Sequence, residues 1–258
     1  MLAHQRQEVI LDAVRAHGGV RVADLVERLG VSEMTVRRDI GELSRQGLVA
    51  RVHGGAAALG RTSEEPGFAA KSTRRPDAKR AVARAAARFA GPGASVALSA
   101  GTTTAALAAE LRAVPDLTVV TNSPRVADVL HEPDRTVILS GGERTPSDAL
   151  VGPVARAGLA TLHVDVLFLG VHGLDVRAGL TTPNLLEADT NRALMDCAAR
   201  VVVVADATKH AVVGLTSFAP LSAVDVLVTD AALDPADRAA LAEHVGELVI
   251  ADPTEDPT

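Results

Sequence analysis

Tryptophan and tyrosine are absent from this chain, and four phenylalanines bring the aromatic share to only 2%. Proteins that grip single-stranded nucleic acid stack bases on aromatic platforms. A chain without Trp or Tyr is therefore directed toward duplex DNA if it binds nucleic acid at all. Cysteine is nearly absent too: Cys197 stands alone, which excludes an internal disulfide and any thiolate-built zinc site. Its neighbours Leu194, Met195 and Ala198 predict a buried, inert thiol. No uninterrupted apolar run approaches the ~20 residues that span a bilayer. His4, Gln5, Arg6 and Glu8 occupy the place where the apolar core of a secretion signal would stand, so a cytoplasmic location is expected. No pair of histidines has metal-site spacing with a third ligand. Neither a metal nor a cofactor is expected, and no residue is assigned a catalytic role.

At 258 residues the chain exceeds the usual single-domain size, and its net charge of −6 is unevenly spread. Residues 1–61 hold 9 Arg against 7 Asp and Glu, a balance of +2, which leaves −8 for the remainder. Only the front of the chain is suited to nucleic acid. An excess that small predicts that affinity depends on clustered arginines and on two or more copies binding together, hence a homo-oligomer, dimer or tetramer.

Within that front segment, Ser32 can cap a helix whose Val36, Ile40 and Leu43 recur as one apolar stripe. Arg38 then projects away from the stripe, flanked by Thr35, Arg37 and Glu42, where a DNA groove could receive it. Upstream, Ile10, Leu11 and Val14 predict a first helix. Val22, Leu25, Val26 and Leu29 predict a second, opening near Val20 and closed by Gly30. Leu48 to Ala56 reads as a strand, a glycine turn and a returning strand: a wing that carries Arg51 and His53 to the phosphate backbone. The candidate DNA contacts are Ser32, Thr35, Arg37, Arg38, Arg51 and His53.

The order of these features, with the run Val31-Ser32-x-x-Thr35-Val36-Arg37-Arg38-Asp39-Ile40 and the wing Gly47-Leu48-Val49-x-Arg51-x-His53-Gly54-Gly55-Ala56, resembles the winged helix of the DeoR-type family of bacterial transcription regulators. Four segments are predicted: a winged helix-turn-helix domain over 1–60, a linker over 61–76 rich in Thr, Ser, Glu, Pro and Lys, an effector and oligomerisation domain over 77–250, and a disordered tail over 251–258.

The third segment alternates strand and helix. Val-rich runs at 95–98, 117–121, 136–139, 164–169, 201–205, 224–229 and 248–250 are separated by helical patterns. The predicted fold class is thus α/β, a mainly parallel sheet covered on both faces and joined to the winged helix. Ligands of such sheets gather at the carboxyl ends of the strands. There Gly101, Thr102, Thr103 and Thr104 open a helix and suit a phosphate cradle, although Gly-Thr-Thr also makes an ordinary cap. Asn122 and Ser123, Gly141 and Gly142, His172 and Asp175, and Lys209 follow other strands. Glu187 begins a helix, where the dipole stabilises a carboxylate whatever its function.

These junctions, with Gly179-Leu180-Thr181-Thr182 and Asp206-Ala207-Thr208-Lys209, are similar to the DeoR-family effector domain, itself similar to ribose-5-phosphate isomerase. The resemblance implies a sequence-specific repressor of a carbohydrate catabolic operon. A phosphorylated sugar bound by the twelve residues just named would modulate it, with double-stranded operator DNA as the macromolecular partner and no membrane. The sequence departs from the family pattern at Ser99, where Asp is frequent, and at Asn191, where Lys is frequent. The alternative is a sugar-phosphate isomerase with an accessory DNA-binding module, in which Asp175 or Glu187 would act with Lys209 as proton-transfer groups.

Overall fold

The computed structural model describes residues 2–17, 19–46, 48–52, 54–57 and 67–252. The chain divides into two compact units, Met1–Arg61 and Thr62–Thr258.

The first unit runs α1 (Ala3–His17), β1 (Gly19–Arg21), α2 (Val22–Leu29), α3 (Glu33–Arg45), β2 (Ala50–Val52) and β3 (Gly55–Ala57). Ile10 and Val14 of α1, Leu25 of α2, and Val36, Ile40 and Leu43 of α3 form one buried cluster with Val49 and Ala56. Spacings of three and four residues thus place each helix's apolar stripe inward. Gly30 ends α2 in the left-handed conformation at φ 64°, which its lack of Cβ permits. The α2 start expected near Val20 falls instead at Val22. Val20 belongs to β1, the third strand of the wing, pairing with Ala56 in the order β1-β3-β2. A Cβ on Gly55 would lie 2.1 Å from the Val20 carbonyl oxygen, so this pairing requires glycine there.

The second unit opens with α4 (Phe68–Ser72) and α5 (Pro76–Ala87), followed by β4 (Ser95–Leu98), α6 (Thr102–Leu111), β5 (Thr118–Thr121), α7 (Pro124–Leu130), β6 (Thr136–Leu139), β7 (Glu143–Arg144), β8 (Leu150–Val151) and α8 (Pro153–Leu159). Then come β9 (Val166–Gly170), β10 (Gly173–Asp175), β11 (Gly179–Thr182), α9 (Leu185–Asp196), β12 (Val201–Val204), β13 (Thr216–Ala219), β14 (Val226–Asp230), α10 (Pro235–Ala242) and β15 (Glu247–Ala251). Seven strands form a parallel sheet in the order β15-β14-β12-β9-β4-β5-β6.

Alternate residues of each central strand enter separate cores. Val96, Leu98, Phe168, Val202 and Val204 pack with α5, α6 and α7, while Ala97, Leu167, Leu169, Val201 and Val203 pack with residues of α9 and α10. Burial on both faces explains why the strands are apolar without alternation. The chain leaves β4 toward β5 and β6, then returns to place β9 on the other side of β4. A crevice therefore opens at the carboxyl ends of β4 and β9, the topological switch point of an open α/β sheet.

Three expectations are corrected. Residues 67–76, read as linker, contain α4 and the start of α5: the Phe68 N–H donates to the Pro146 carbonyl at 3.3 Å, and the Arg125 guanidinium lies over the Phe68 ring at 4.2 Å. A helix of five residues is too short to display a period, and tertiary contacts hold it. A second, antiparallel sheet, β10-β11-β13, interrupts the simple alternation. At the far end Ala251 is buried in β15, while residues 253–258 of the expected tail, like 61–66 of the linker, lie outside the described residues.

Candidate functional site

In the first unit, the amino end of α3 is shaped by its cap. Ser32 Oγ accepts the Thr35 N–H at 3.3 Å and lies 2.9 Å from Thr35 Oγ1, so these two hydroxyls serve one another first. Arg37 donates to Glu33 Oε1, one turn back, at 2.6 Å. Arg38 is exposed, as are Arg51 on β2 and Met34, the last at 81%. His53 falls outside the described residues.

Sequence reasoning missed two features of α3. Met34 is an apolar side chain left in solvent on a polar helix end. Asp39, read only as part of a charged run, is buried, and its carboxylate accepts Arg6 Nε at 2.6 Å and another guanidinium N–H at 3.2 Å. That fork fixes α3 against α1. The bonds to Asp39 also raise the Arg6 pKa beyond its ordinary value, as expected for an ion-paired guanidinium.

In the second unit a small pocket, open to solvent, occupies the switch point. Ala100, Gly101, Thr102 and Thr103 at the start of α6 form one wall, and Gly170, Val171 and His172 after β9 form another. Gly101 caps α6 without a side-chain hydrogen bond, leaving the first-turn N–H groups without a side-chain cap. Thr182, Glu187 and Asn191 contribute from β11 and α9, while Lys209 and Lys71 bring the ammonium groups.

Of the residues proposed from sequence, Gly101, Thr102, Thr103, Asn122, His172, Glu187 and Lys209 line this space. Asn122 does so with its amide already committed: Oδ1 accepts the Ala100 N–H at 2.8 Å, and Nδ2 donates to the Leu150 carbonyl at 3.1 Å. It braces the wall rather than reaching across it.

The other five are placed elsewhere. Thr104 is buried within α6, donating back to the Gly101 carbonyl. Ser123 caps α7, accepting the Val126 N–H. Gly141 and Gly142 adopt positive φ, and a Cβ on Gly142 would lie 2.4 Å from the Val151 carbonyl oxygen, so their requirement is for close packing. Asp175 closes the β10–β11 hairpin by accepting the Arg177 and Ala178 N–H groups, each at 2.8 Å. A strand end followed by glycine or carboxylate marks a turn as well as it marks a site.

Conversely, Lys71, Ser147 and Thr182 were not among the residues proposed for the wall, and Asn191, noted from sequence only as a departure from the family pattern, lines it. Lys71 sits on the unforeseen α4, and no local pattern announces it. Ser99, one of the two departures from the family pattern, is turned into the sheet, where its hydroxyl accepts the Gly170 N–H at 2.8 Å.

Lys209 is positioned by a network behind it. Asp206 accepts the Thr208 N–H at 3.0 Å and so shapes the turn that carries Lys209; it also pairs with the buried Lys79 of α5 at 3.5 Å. Asp230 at the end of β14 accepts the Ala207 N–H at 2.7 Å and pairs with Arg75 at 2.9 Å. Burial lowers the Lys209 pKa to about 8; Asp206 opposes the shift, while Lys71, Lys79 and Arg74 add to it. Among the described residues no cluster of His, Cys, Asp and Glu could hold a metal ion, and no helix is long and apolar enough to cross a membrane.

A winged helix joined in one chain to an open α/β sheet with a basic, hydroxyl-lined crevice defines a class: DNA-binding regulators that carry their own ligand-sensing domain. Residues 6–62 match the family described as the DeoR-like helix-turn-helix domain, and residues 74–231 the DeoR C terminal sensor domain. The HTH-type transcriptional regulator GlpR of Haloferax volcanii is 39% identical over 97% of this chain and 98% of its own length. The glycerol-3-phosphate regulon repressor of Escherichia coli K12 is 32% identical over 88% and 90% respectively. The solved ribose 5-phosphate isomerase A of Methanocaldococcus jannaschii aligns at a TM-score of 0.40 with 17% identity, covering 53% of this chain and 55% of that one.

The chain belongs to the DeoR family of transcription regulators. It is a DNA-binding regulator, and the isomerase alternative falls with that assignment. Of its two candidate carboxylates, Asp175 is absent from the pocket wall, while Glu187 lines it with Lys209.

Proposed function

We propose that this protein represses a carbohydrate catabolic operon from two or more copies bound at one operator, and that a phosphorylated sugar in the sensor pocket weakens that hold. The observation that carries the ligand half is the uncapped start of α6 sharing one crevice with Lys209 and Lys71. Free N–H groups, the helix dipole and two ammonium groups suit a phosphate dianion. Relatives named for a glycerol-3-phosphate regulon and an aga operon support the same class. Arg38, Met34 and Thr35 are the groups of α3 that meet base edges, the methionine through apolar contact with a thymine methyl. Arg51 on the wing binds phosphate, and residues 1–61 serve as the DNA-binding domain. A three- to hundredfold change in operator affinity requires only about 0.7–2.7 kcal/mol of coupling between ligand and DNA.

The test is a fluorescence-anisotropy titration on an operator selected from random duplex, with glycerol 3-phosphate, fructose 1-phosphate and glucose 6-phosphate added in turn. At least one should release wild-type protein. Changing Thr102 and Thr103 together to alanine should move the response to tenfold higher concentration while ligand-free operator binding stays unchanged. A double variant that responds as wild type does would remove the α6 cradle from the mechanism.

A further inference from the structure

Glu187 is the only acidic side chain among the described residues that line the pocket. Its carboxylate receives hydroxyl hydrogen bonds from Thr145 at 3.2 Å, from Ser147, and from Thr182 at 3.0 Å to the second oxygen. Three hydroxyls from two other chain segments fix its orientation. One turn along α9, on the same helical face, Asn191 adds an amide to the wall. The pocket thus contains two kinds of recognition chemistry. The α6 amino end, Lys209 and Lys71 suit an anion, and a phosphomonoester dianion balances the two ammonium groups. Glu187 and Asn191 suit groups that donate protons, which the hydroxyls of a polyol do.

We propose that Glu187 sets the chemical class of the effector: the phosphate monoester of a neutral sugar or polyol, with phosphorylated sugar acids and bisphosphates rejected. This inference rests on the anion-binding reading of the α6 cradle. A hydroxyl brought to Glu187 can donate, as Thr145, Ser147 and Thr182 already do. A second carboxylate or phosphate brought there has no proton to give and meets like charge in a partly desolvated space, where repulsion is less screened than in water. The wall, among the described residues, contains no third Lys or Arg to compensate.

The experiment compares matched probes by isothermal titration calorimetry: glucose 6-phosphate against 6-phosphogluconate, and glycerol 3-phosphate against 3-phosphoglycerate, with inorganic phosphate as the reference anion. In the wild type the neutral member of at least one pair should bind tenfold or more tighter than its acid. In Glu187→Gln that ratio should fall below about threefold, through a larger gain in affinity for the acid than for its neutral partner or for inorganic phosphate. Ser147→Ala, which removes one hydroxyl donor and keeps the charge, should preserve or widen the ratio, and it decides the matter if the glutamine variant does not fold.

Phosphate binding without preference within either pair, or a preference that survives Glu187→Gln, would overturn the role given to Glu187 while leaving the cradle intact. A narrowed ratio in Ser147→Ala would overturn it as well. No binding of any probe, phosphate included, would sink the anion site and this inference together.

Discussion

Lys209 concentrates the chemistry of the sensor pocket in a single titration. Burial and three neighbouring cations disfavour its ammonium form, so the lysine proposed to attract an anion surrenders its proton near pH 8 rather than 10.5. The sign of the consequence differs between ligand binding and folding. A bound dianion favours the ammonium and raises its pKa, so binding takes up a proton above pH 8, and affinity for inorganic phosphate should fall as pH rises: about tenfold by pH 9 if the bound pKa returns to its ordinary value. Calorimetry between pH 7.5 and 9.5 reads this directly, and Lys209→Met should weaken binding at pH 7.5 and flatten the profile. A wild-type profile that is already flat would show that Lys209 does not face the anion. For folding, the unfolded chain holds the proton more tightly than the native one. This residue therefore costs stability below pH 8 and costs progressively less as pH rises from about 8 toward 10.5.

Among the elements, the proposed function assigns sequence preference to α3 and affinity without preference to the wing. Because α3 is locked to α1 by the Arg6–Asp39 fork, a change at its exposed face alters contacts without moving the helix. Arg38→Ala should reduce affinity for the selected operator by about 1–3 kcal/mol while changing random duplex little, and Arg51→Ala should weaken both alike. Anisotropy at two salt concentrations separates the two effects, since a lost phosphate contact also lowers the salt dependence by about one ion. Equal losses on operator and random DNA for Arg38→Ala would remove it from base recognition.

The elements also differ in how openly the sequence declares them. The seven parallel strands and the helices from α5 to α10 were legible because long apolar runs and helical periods are local signals. The start of α2, the whole of α4 and the β10-β11-β13 sheet were not. Each is three to five residues long, and pairing across the fold stabilises it more than its own composition does.

At the scale of the whole molecule, a front unit with a balance of only +2 cannot hold DNA by bulk charge. The proposed cooperation between copies would offset that deficit by raising the effective concentration of the second winged helix once the first is bound. Analytical ultracentrifugation should find at least two chains on one operator, and dilution below the assembly midpoint should cut operator affinity by an order of magnitude or more. A single chain that retained full affinity would overturn the oligomeric reading.

By itself the sequence determined the division into a basic winged helix and an apolar α/β unit, the Ser32 cap and apolar stripe of α3, and the glycine-threonine start of α6 at a strand end. Periodicity, capping and charge are properties of neighbouring residues and survive without coordinates. Tertiary structure alone decided which strand ends share a crevice. It set Asp175 and Gly142 into turns and Thr104 into the helix packing, and it brought Lys71, Thr182 and Asn191 to the wall. It also turned Asp39 from a surface charge into a buried brace. The order of strands in a sheet, not their order in the chain, determines which side chains meet, and residues more than a hundred positions apart, such as Lys71 and Lys209, have no local signal to announce that they do.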